Sequence, residues 1–299
     1  MLRAVGRLGT VRVVLHVARF LWDDMAIALA LCLMTININK TIADEIAPEV
    51  LLPTLGIAVS IFTGFRNSQA YARWWEARSL WGSLINQSRN WRDNLTAFLG
   101  ESPENQAIRH QLLQRQVLMA WALNHELRDC PNRHAADGLA ALARELGVED
   151  VATQALLVEQ SRALHRLHEQ GKISDFARIQ LQRVQDEICN VIGGCEKVRN
   201  QTFPVFYDVF IRLCAWVFGF LFYIRMDAGY EPYGWMVGYG VMAGFILFER
   251  LGTYIENPFF QASLALPMNR LCATITRSLL GATHPWATPL EGERSVVWT

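Results

Sequence analysis

The residues best suited to chemistry in this sequence are two histidines, His165 and His168, which lie three apart on a predicted helix. At that spacing two imidazoles can reach one metal ion. No third ligand follows at a fixed spacing, and the arginines that flank the pair favour a solvated helix face. His125 and Glu126 begin the H-E-x-x-H pattern of zinc proteases, but the second histidine that this geometry requires is missing. We therefore predict no metal site.

The sequence motifs of common enzymes are missing as well. There is no G-x-S-x-G nucleophile turn, no glycine loop for phosphate binding and no Rossmann fingerprint. The net charge of zero argues against a nucleic-acid partner, because binding phosphates requires a basic surface. The six cysteines form no C-x-x-C pair and are interpreted as reduced packing residues. We predict that the protein is not an enzyme, needs no cofactor and binds no nucleic acid.

A more informative spacing is found in an apolar stretch near the start of the chain, where Ile57, Ile61 and Phe65 fall four apart. A spacing of four residues places side chains on one face of a helix. Small residues stand beside them: Gly56, Ala58, Ser60 and Gly64. Such a stripe suits a pore-lining helix, whose neighbours must approach closely, and it also suits an ordinary packing face of a membrane helix. Spacing alone leaves both interpretations open.

The helix that carries this stripe is predicted to be long. No proline occurs between Pro53 and Pro103, so one helix can run from the apolar residues 51–65 into a half rich in arginine. Hydrophobic residues make up 52% of the chain against 19% charged, which favours a membrane portion joined to a charged soluble portion.

A residue-specific run follows the stripe. Residues 65–78 read FRNSQAYARWWEAR, and LWG at 80–82 and N-x-S-R-N at 86–90 come next. This run resembles the signature of the bestrophin family, especially its bacterial members. IENPF at 255–259 and LP at 266–267 resemble the family segment after the last membrane helix, and GKISD at 171–175 is a weaker match.

The resemblance implies a homopentameric ion channel with one pore on the symmetry axis and a large helical cytoplasmic part. Carried over by position, Ile57, Ile61 and Phe65 match the family's hydrophobic pore neck, and Ile173 matches a second constriction at the cytoplasmic aperture. Animal relatives bind calcium through acidic residues after the asparagine-proline-phenylalanine segment. Residues 260–265 read FQASLA here and carry no carboxylate, so no calcium site is expected by this route.

The fold class predicted from these patterns is an all-α membrane protein with four transmembrane helices and a helical cytoplasmic domain. An amphipathic helix is predicted over residues 1–20, and the membrane spans over residues 25–38, 50–65, 203–224 and 233–248. Asp208 and Arg212 in the third span lie at i and i+4, where a charge pair can satisfy itself on one face. Charges in a membrane segment usually face a protein interior or water, so both are interpreted as lying near the cytoplasmic end. Gly147 is predicted to end one helix, and Gly193 with Gly194 to break another.

Charge placement predicts the orientation. Four arginines lie in residues 1–20 and five in residues 66–92, against one basic residue in each of the two loops on the other side. The positive-inside rule then places both termini and residues 66–202 in the cytoplasm, with the protein in the inner membrane. The predicted parts are residues 1–65 (first two spans and neck), 66–202 (cytoplasmic helices), 203–250 (last two spans) and 251–299 (cytoplasmic helix and tail).

The predicted function is a channel for small monovalent ions whose expected partners are further copies of itself, the lipid bilayer and the permeant ions. Phenyl ring edges favour anions, but the predicted neck has only one phenylalanine, Phe65, below two isoleucines. Isoleucine side chains offer neither charge nor ring edges, so cation passage is the first interpretation. A chloride channel of the same architecture is the alternative. A membrane-anchored interaction or signalling protein is the alternative from another class.

Overall fold

The computed structural model describes residues 19, 21–35, 38, 40–48, 50–128, 133–201, 204–229, 233–259 and 266–288. Apart from Arg19, the predicted amphipathic helix of residues 1–20 lies outside them, as do the FQASLA segment and the C-terminal tail from residue 289. Every regular element in the described ranges is helical, as the sequence predicts.

The helices are numbered here in chain order. They are α1 Trp22–Met34, α2 Lys40–Ile46, α3 Leu51–Phe98, α4 Pro103–Glu126, α5 Arg133–Glu145, α6 Thr153–Glu169, α7 Asp175–Asn200, α8 Val205–Gly229, α9 Gly234–Glu256 and α10 Met268–Leu280, followed by a 3₁₀ turn at Pro285–Ala287. The 48-residue α3 is the uninterrupted helix that the absence of proline predicts.

The described residues divide into two compact units. One contains residues 19–74 and 204–257, and the other contains residues 75–201 and 258–288. Helix α3 continues from the first unit into the second, so the two are not successive stretches of chain. The domain boundaries at 65, 202 and 250 that the sequence suggests remain predictions.

The first unit is built on the close pairing of α8 with α9. Tyr223 of α8 and Met242 and Ile246 of α9 are buried together with residues of α1 and α2. A Cβ at Gly219 would lie 2.9 Å from the Met242 side chain, and one at Gly238 would lie 2.9 Å from the Cα of Tyr223. These two glycines therefore permit the short distance between the helices.

Membrane crossing is supported most directly for α8. Among the described residues, it is the helix whose length and apolar composition suit a bilayer span. It continues to Gly229, beyond the predicted end at Ile224, and α9 continues to Glu256, beyond Phe248. The four-span arrangement remains a prediction.

The second unit has α4 at its centre. Ser102 begins this helix by accepting a hydrogen bond from the Asn105 N–H, with Pro103 at the first helical position. Residues 115–124 of α4 are buried without interruption. Helix α10 packs on this segment, where the Trp121 indole donates to Thr276 Oγ1 at 3.1 Å. Helices α6 and α7 pack against each other, and α6 also contacts α4.

Two of the predicted helix ends have different outcomes. Gly147 follows the end of α5 with φ of 63°, and the next N–H bonds back to the Ala143 carbonyl at 2.9 Å, so the predicted C-cap is confirmed. The predicted break at Gly193 and Gly194 is wrong, because α7 runs through both to Asn200. A Cβ at Gly194 would lie 2.7 Å from the Leu80 side chain, so this glycine accommodates a neighbouring helix.

Candidate pore-lining site

The three predicted neck residues share an uncovered face of α3 in the first unit. The side chains of Ile57, Ile61 and Phe65 are 63%, 51% and 63% exposed in the single chain. Large apolar side chains exposed in register on one helix face suit contact with lipid, with another copy of the chain or with a pore. The structure therefore leaves the predicted stripe available.

The opposite face of α3 is held by α8. Val59 is buried in a cluster with Ala215 and Phe218 of α8. A Cβ at Gly56 would lie 3.0 Å from the Phe218 ring, so a larger residue there would push the two helices apart. This packing fixes the rotation of α3 about its axis and hence the direction of the exposed stripe.

An apolar groove of about 780 Å³ runs beside the stripe. Ile57 and Ile61 line it from α3, and Phe218, Phe222 and Phe245 line it from α8 and α9. Among the described residues, no side chain fills the space beside the stripe.

Immediately after the stripe, Arg66 anchors α3 to the two helices behind it. Its side chain is 1% exposed, and Nε donates to Asp208 Oδ1 of α8 at 2.6 Å. From the same guanidinium, Nη1 donates to the Glu249 carbonyl and Nη2 to Thr253 Oγ1 of α9, both at 2.9 Å. A planar guanidinium with its donors in fixed directions is suited to such a multiple anchor.

Glu249 lies at the centre of the charged groups around this anchor. Its carboxylate is 1% exposed and lies 3.8 Å from Arg66, 3.5 Å from Arg212 and 3.9 Å from Arg250. Within the described residues neither carboxylate oxygen accepts a hydrogen bond, so its compensation is by charge at longer range. Arg250 is itself held by Asp24 of α1, through contacts of 2.6 and 2.7 Å. Four helices therefore meet in one ionic cluster.

Asp208 and Arg212 do not pair with each other along α8, although their spacing would allow it. Asp208 pairs with Arg66 of α3, and Arg212 pairs with Glu249 of α9. Asp208 and Arg212 are both partly exposed and face the junction with another helix, where each finds a more buried partner. Sequence reasoning did not identify the cluster, although a lone arginine directly after an apolar run signals that a partner is required.

Ile173, the predicted aperture residue, lies in the second unit between α6 and α7. Its side chain is 4% exposed, so most of it is covered by its own chain. Ser174 caps α7 by accepting from the Ala177 N–H, and the Lys172 ammonium lies 2.5 Å from a Glu104 carboxylate oxygen. These contacts hold the segment, and the aperture role of Ile173 remains a prediction.

The histidines do not share one partner. His165 Nε2 lies 3.2 Å from Glu169, whereas His168 Nε2 lies 2.7 Å from Asp175. Each imidazole therefore contacts its own carboxylate, and the two histidines do not converge on one point.

Glu126, from the incomplete protease pattern, has a structural role. Its carboxylate accepts from both the N–H and the hydroxyl of Thr153, each at 2.8 Å, at the start of α6.

Known proteins match most of this chain in sequence. The family described as "Bacterial/Fungal Bestrophin protein" matches residues 5–281. The chain is 26% identical to the "Voltage-dependent anion channel-forming protein" of Synechocystis sp., over 82% of this chain and 79% of that protein. It is 29% identical to the protein of the same description, YneE, of Escherichia coli K12, over 76% and 74% of the two chains.

Solved structures resemble the fold as well. The crystal structure of a bacterial bestrophin homologue from Klebsiella pneumoniae, solved by Zn-SAD phasing, superposes with a TM-score of 0.76. The two are 25% identical, and the match covers 89% of this chain and all of the other.

Proposed function

The chain belongs to the bestrophin family, and from that premise we propose that it forms a membrane ion channel in which five copies surround one pore. The matched family model, the relatives described as channel-forming and the likeness to a solved bestrophin homologue support the channel assignment. Closed rotational symmetry is the usual arrangement for identical subunits around an axis.

The observation that carries the pore assignment is the uncovered stripe on α3. Ile57, Ile61 and Phe65 are exposed on one face, while the other face is packed against α8. Five copies of the stripe around an axis would form three apolar rings. A narrow apolar constriction controls ion flow because it loses its water when it narrows. The buried Arg66 directly below would hold each copy of the stripe at a fixed depth and rotation.

The proposed topology follows from the charge distribution of the sequence. Four spans cross the inner membrane, and both termini and residues 66–202 lie in the cytoplasm, on the side richer in arginine. The monovalent ions that permeate and the surrounding lipid are the remaining proposed partners.

For selectivity we propose anion passage, with chloride as the test ion. Several relatives are described as anion channel-forming proteins. Phe65 contributes ring edges that carry partial positive charge and can stabilise a partly dehydrated anion. The cation interpretation, based on the two isoleucines of the neck, thereby becomes the alternative.

The test is a reversal-potential measurement on purified protein in liposomes or planar bilayers under a potassium chloride gradient. Anion passage gives a reversal potential that tracks the chloride gradient, and cation passage gives the opposite sign. Absence of any flux from correctly inserted protein would leave the membrane-anchored interaction protein as the better interpretation.

The neck is tested by the triple variant Ile57→Ala, Ile61→Ala, Phe65→Ala. Shorter side chains widen and wet the constriction, so we expect the conductance to rise severalfold. The control is Leu213→Ala, because Leu213 is 59% exposed on α8 but lies outside the stripe. An unchanged conductance in the triple variant would move the constriction to Ile173 or remove the pore assignment.

A further inference from the structure

A second cavity, distinct from the groove beside α3, lies within the second unit. It has a volume of about 520 Å³ and is bounded by α4, by the segment that follows α5 and by the first turns of α6. Its volume is in the range of small-molecule sites, which span about 300–1,000 Å³. Apolar side chains cover one part of its wall: Leu146, Val148, Ala155 and Val158.

The wall of this cavity includes a buried cation, Arg115 of α4. Its residue surface is 6% exposed, and within the described residues its guanidinium forms no hydrogen bond or ion pair; the Nε atom is fully buried. Burial lowers the pKa of Arg115, the carboxylate of Glu159 raises it and Arg166 lowers it. A largely buried charge without a hydrogen-bonded protein partner must be solvated by water or by a bound ligand, and the cavity beside Arg115 gives room for either.

The other charged residues of the lining are mostly engaged. Arg162 Nη1 donates to Glu159 at 2.6 Å, and Asp150 accepts the Ala152 N–H at 2.8 Å. Glu149 is exposed at the edge of the cavity and forms no hydrogen bond or ion pair within the described residues. After the pairing of Arg162 with Glu159, the cavity presents one buried positive group, Arg115, and two exposed carboxylates, Glu149 and Asp150. Of these two, Asp150 already accepts a backbone hydrogen bond.

We propose that this cavity binds a free amino acid with an apolar side chain. The carboxylate would bind Arg115 through the two parallel hydrogen bonds that guanidinium and carboxylate form. The ammonium would face Glu149, and the side chain would contact the apolar part of the wall. A polyanion such as a nucleotide fits poorly, because the lining contains three carboxylates against two guanidinium groups. This binding is independent of the proposed ion conduction.

The test uses the full-length protein in detergent and follows its melting temperature with increasing L-leucine. We expect a saturable rise, because a ligand that binds the folded state stabilises it. Two analogues separate the recognition groups: 4-methylpentanoate keeps the carboxylate and isopentylamine keeps the amine. Each should bind at least about tenfold more weakly than leucine, since each loses one charged contact. Inorganic phosphate should give no saturable rise.

The variants assign the contacts. Arg115→Gln should abolish the leucine effect and raise the melting temperature of the unliganded protein, because it removes a buried unpaired charge. Glu149→Gln should bring leucine and 4-methylpentanoate to similar affinity. Glu187→Gln, an exposed substitution on α7, is the matched control and should change neither property.

Three results would overturn the proposal. They are no saturable rise with leucine or any other standard amino acid, an undiminished leucine effect in Arg115→Gln, and equal binding of leucine and 4-methylpentanoate by the unmodified protein. Should Arg115→Gln fail to fold, Arg115→Lys takes its place, because it keeps the charge and loses the paired hydrogen-bond geometry. The melting measurement involves no ion flux, so its failure and failure of the channel assignment are separate results.

Discussion

At the scale of single residues, Arg66 links the predicted neck to the rest of its unit. The guanidinium is 1% exposed and reaches acids on both α8 and α9. Charges buried in this way are stabilising as a group only when every member is present, because the loss of one leaves the others uncompensated. The stripe on α3 thus depends on a residue that is not itself part of it.

Replacement of Arg66 is expected to be severe. Arg66→Gln leaves Asp208, Glu249 and Glu256 without their shared cation, which should lower the free energy of unfolding by about 3–5 kcal/mol. The control Arg162→Gln breaks an exposed pair and should cost less than about 1 kcal/mol. Detergent-denaturation curves of both purified variants measure the difference. Similar curves would mean that the cluster contributes nothing to stability.

His284 gives the second unit a predicted pH dependence. Its Nδ1 accepts the Trp286 N–H at 3.2 Å, which requires an unprotonated ring nitrogen. Burial lowers the pKa of His284 from 6.5, His110 lowers it further, and Glu145 acts in the opposite direction. The unfolded chain therefore takes up the proton more readily than the folded protein. The stability that this residue contributes is present above pH 6.5 and is lost as the pH falls below it, towards the folded pKa.

The variant His284→Asn tests this dependence, because asparagine keeps an oxygen acceptor for the turn and does not titrate. Melting temperatures at about pH 7.5 and about pH 5.5 should differ less in the variant than in the unmodified protein. Other histidines supply a common background to both proteins. An equal difference would remove His284 as a contributor.

At the scale of elements, the sequence predicted features set by neighbouring residues and missed features set by contacts between distant residues. The absence of proline predicted the length of α3, and Gly147 predicted the end of α5, because both effects act within a few residues. Gly194 misled the prediction, since its small size accommodates Leu80 from a helix that is distant in sequence. The partner of Asp208 was missed for the same reason: it lies 142 residues away.

The pairing of α8 with α9 provides a prediction at this scale. A Cβ at Gly238 would lie 2.9 Å from the backbone of Tyr223, where no side-chain movement can relieve the contact. Gly238→Ala should therefore destabilise the protein by about 1–3 kcal/mol. Gly240→Ala on the same helix is the control, because a Cβ there meets nothing within 4 Å. It should be neutral or stabilising by up to about 1 kcal/mol, since alanine favours the helix.

Those two alanine variants are best compared by detergent denaturation under identical conditions. If Gly238→Ala were as stable as Gly240→Ala, the close approach of the two helices would not be limited by that glycine.

At the scale of the whole molecule, the single chain leaves its predicted neck uncovered. Ile57, Ile61 and Phe65 are all more than half exposed, and an apolar groove lies beside them. The sequence could predict this face because a spacing of four is a local pattern. It could not predict what covers the face, because that depends on other copies of the chain or on the pore itself.

Assembly is predicted to satisfy this face. We expect native mass spectrometry in mild detergent to give about 170 kDa, five times the 34.0 kDa of one chain. A bulky charged substitution on the groove side of α3, Ser60→Lys, should reduce the fraction of assembled protein. Pro103→Ala, at the first position of α4, is outside the groove and serves as the control. A monomeric or dimeric mass for the unmodified protein would contradict the proposed pentamer.

The anchor at Arg66 also has a consequence for biosynthesis. Its contacts on α8 and α9 are made by residues 142, 183 and 187 positions later in the chain. At about 5–20 residues per second, a ribosome needs on the order of 10 s to reach the first of them. During that interval the nascent chain carries an unneutralised guanidinium at the end of its second predicted span. At the proposed cytoplasmic end of that span, water and lipid headgroups can solvate the guanidinium. We therefore expect the second helix to enter the membrane on its own and the first unit to complete its packing only after α8 and α9 have been synthesised.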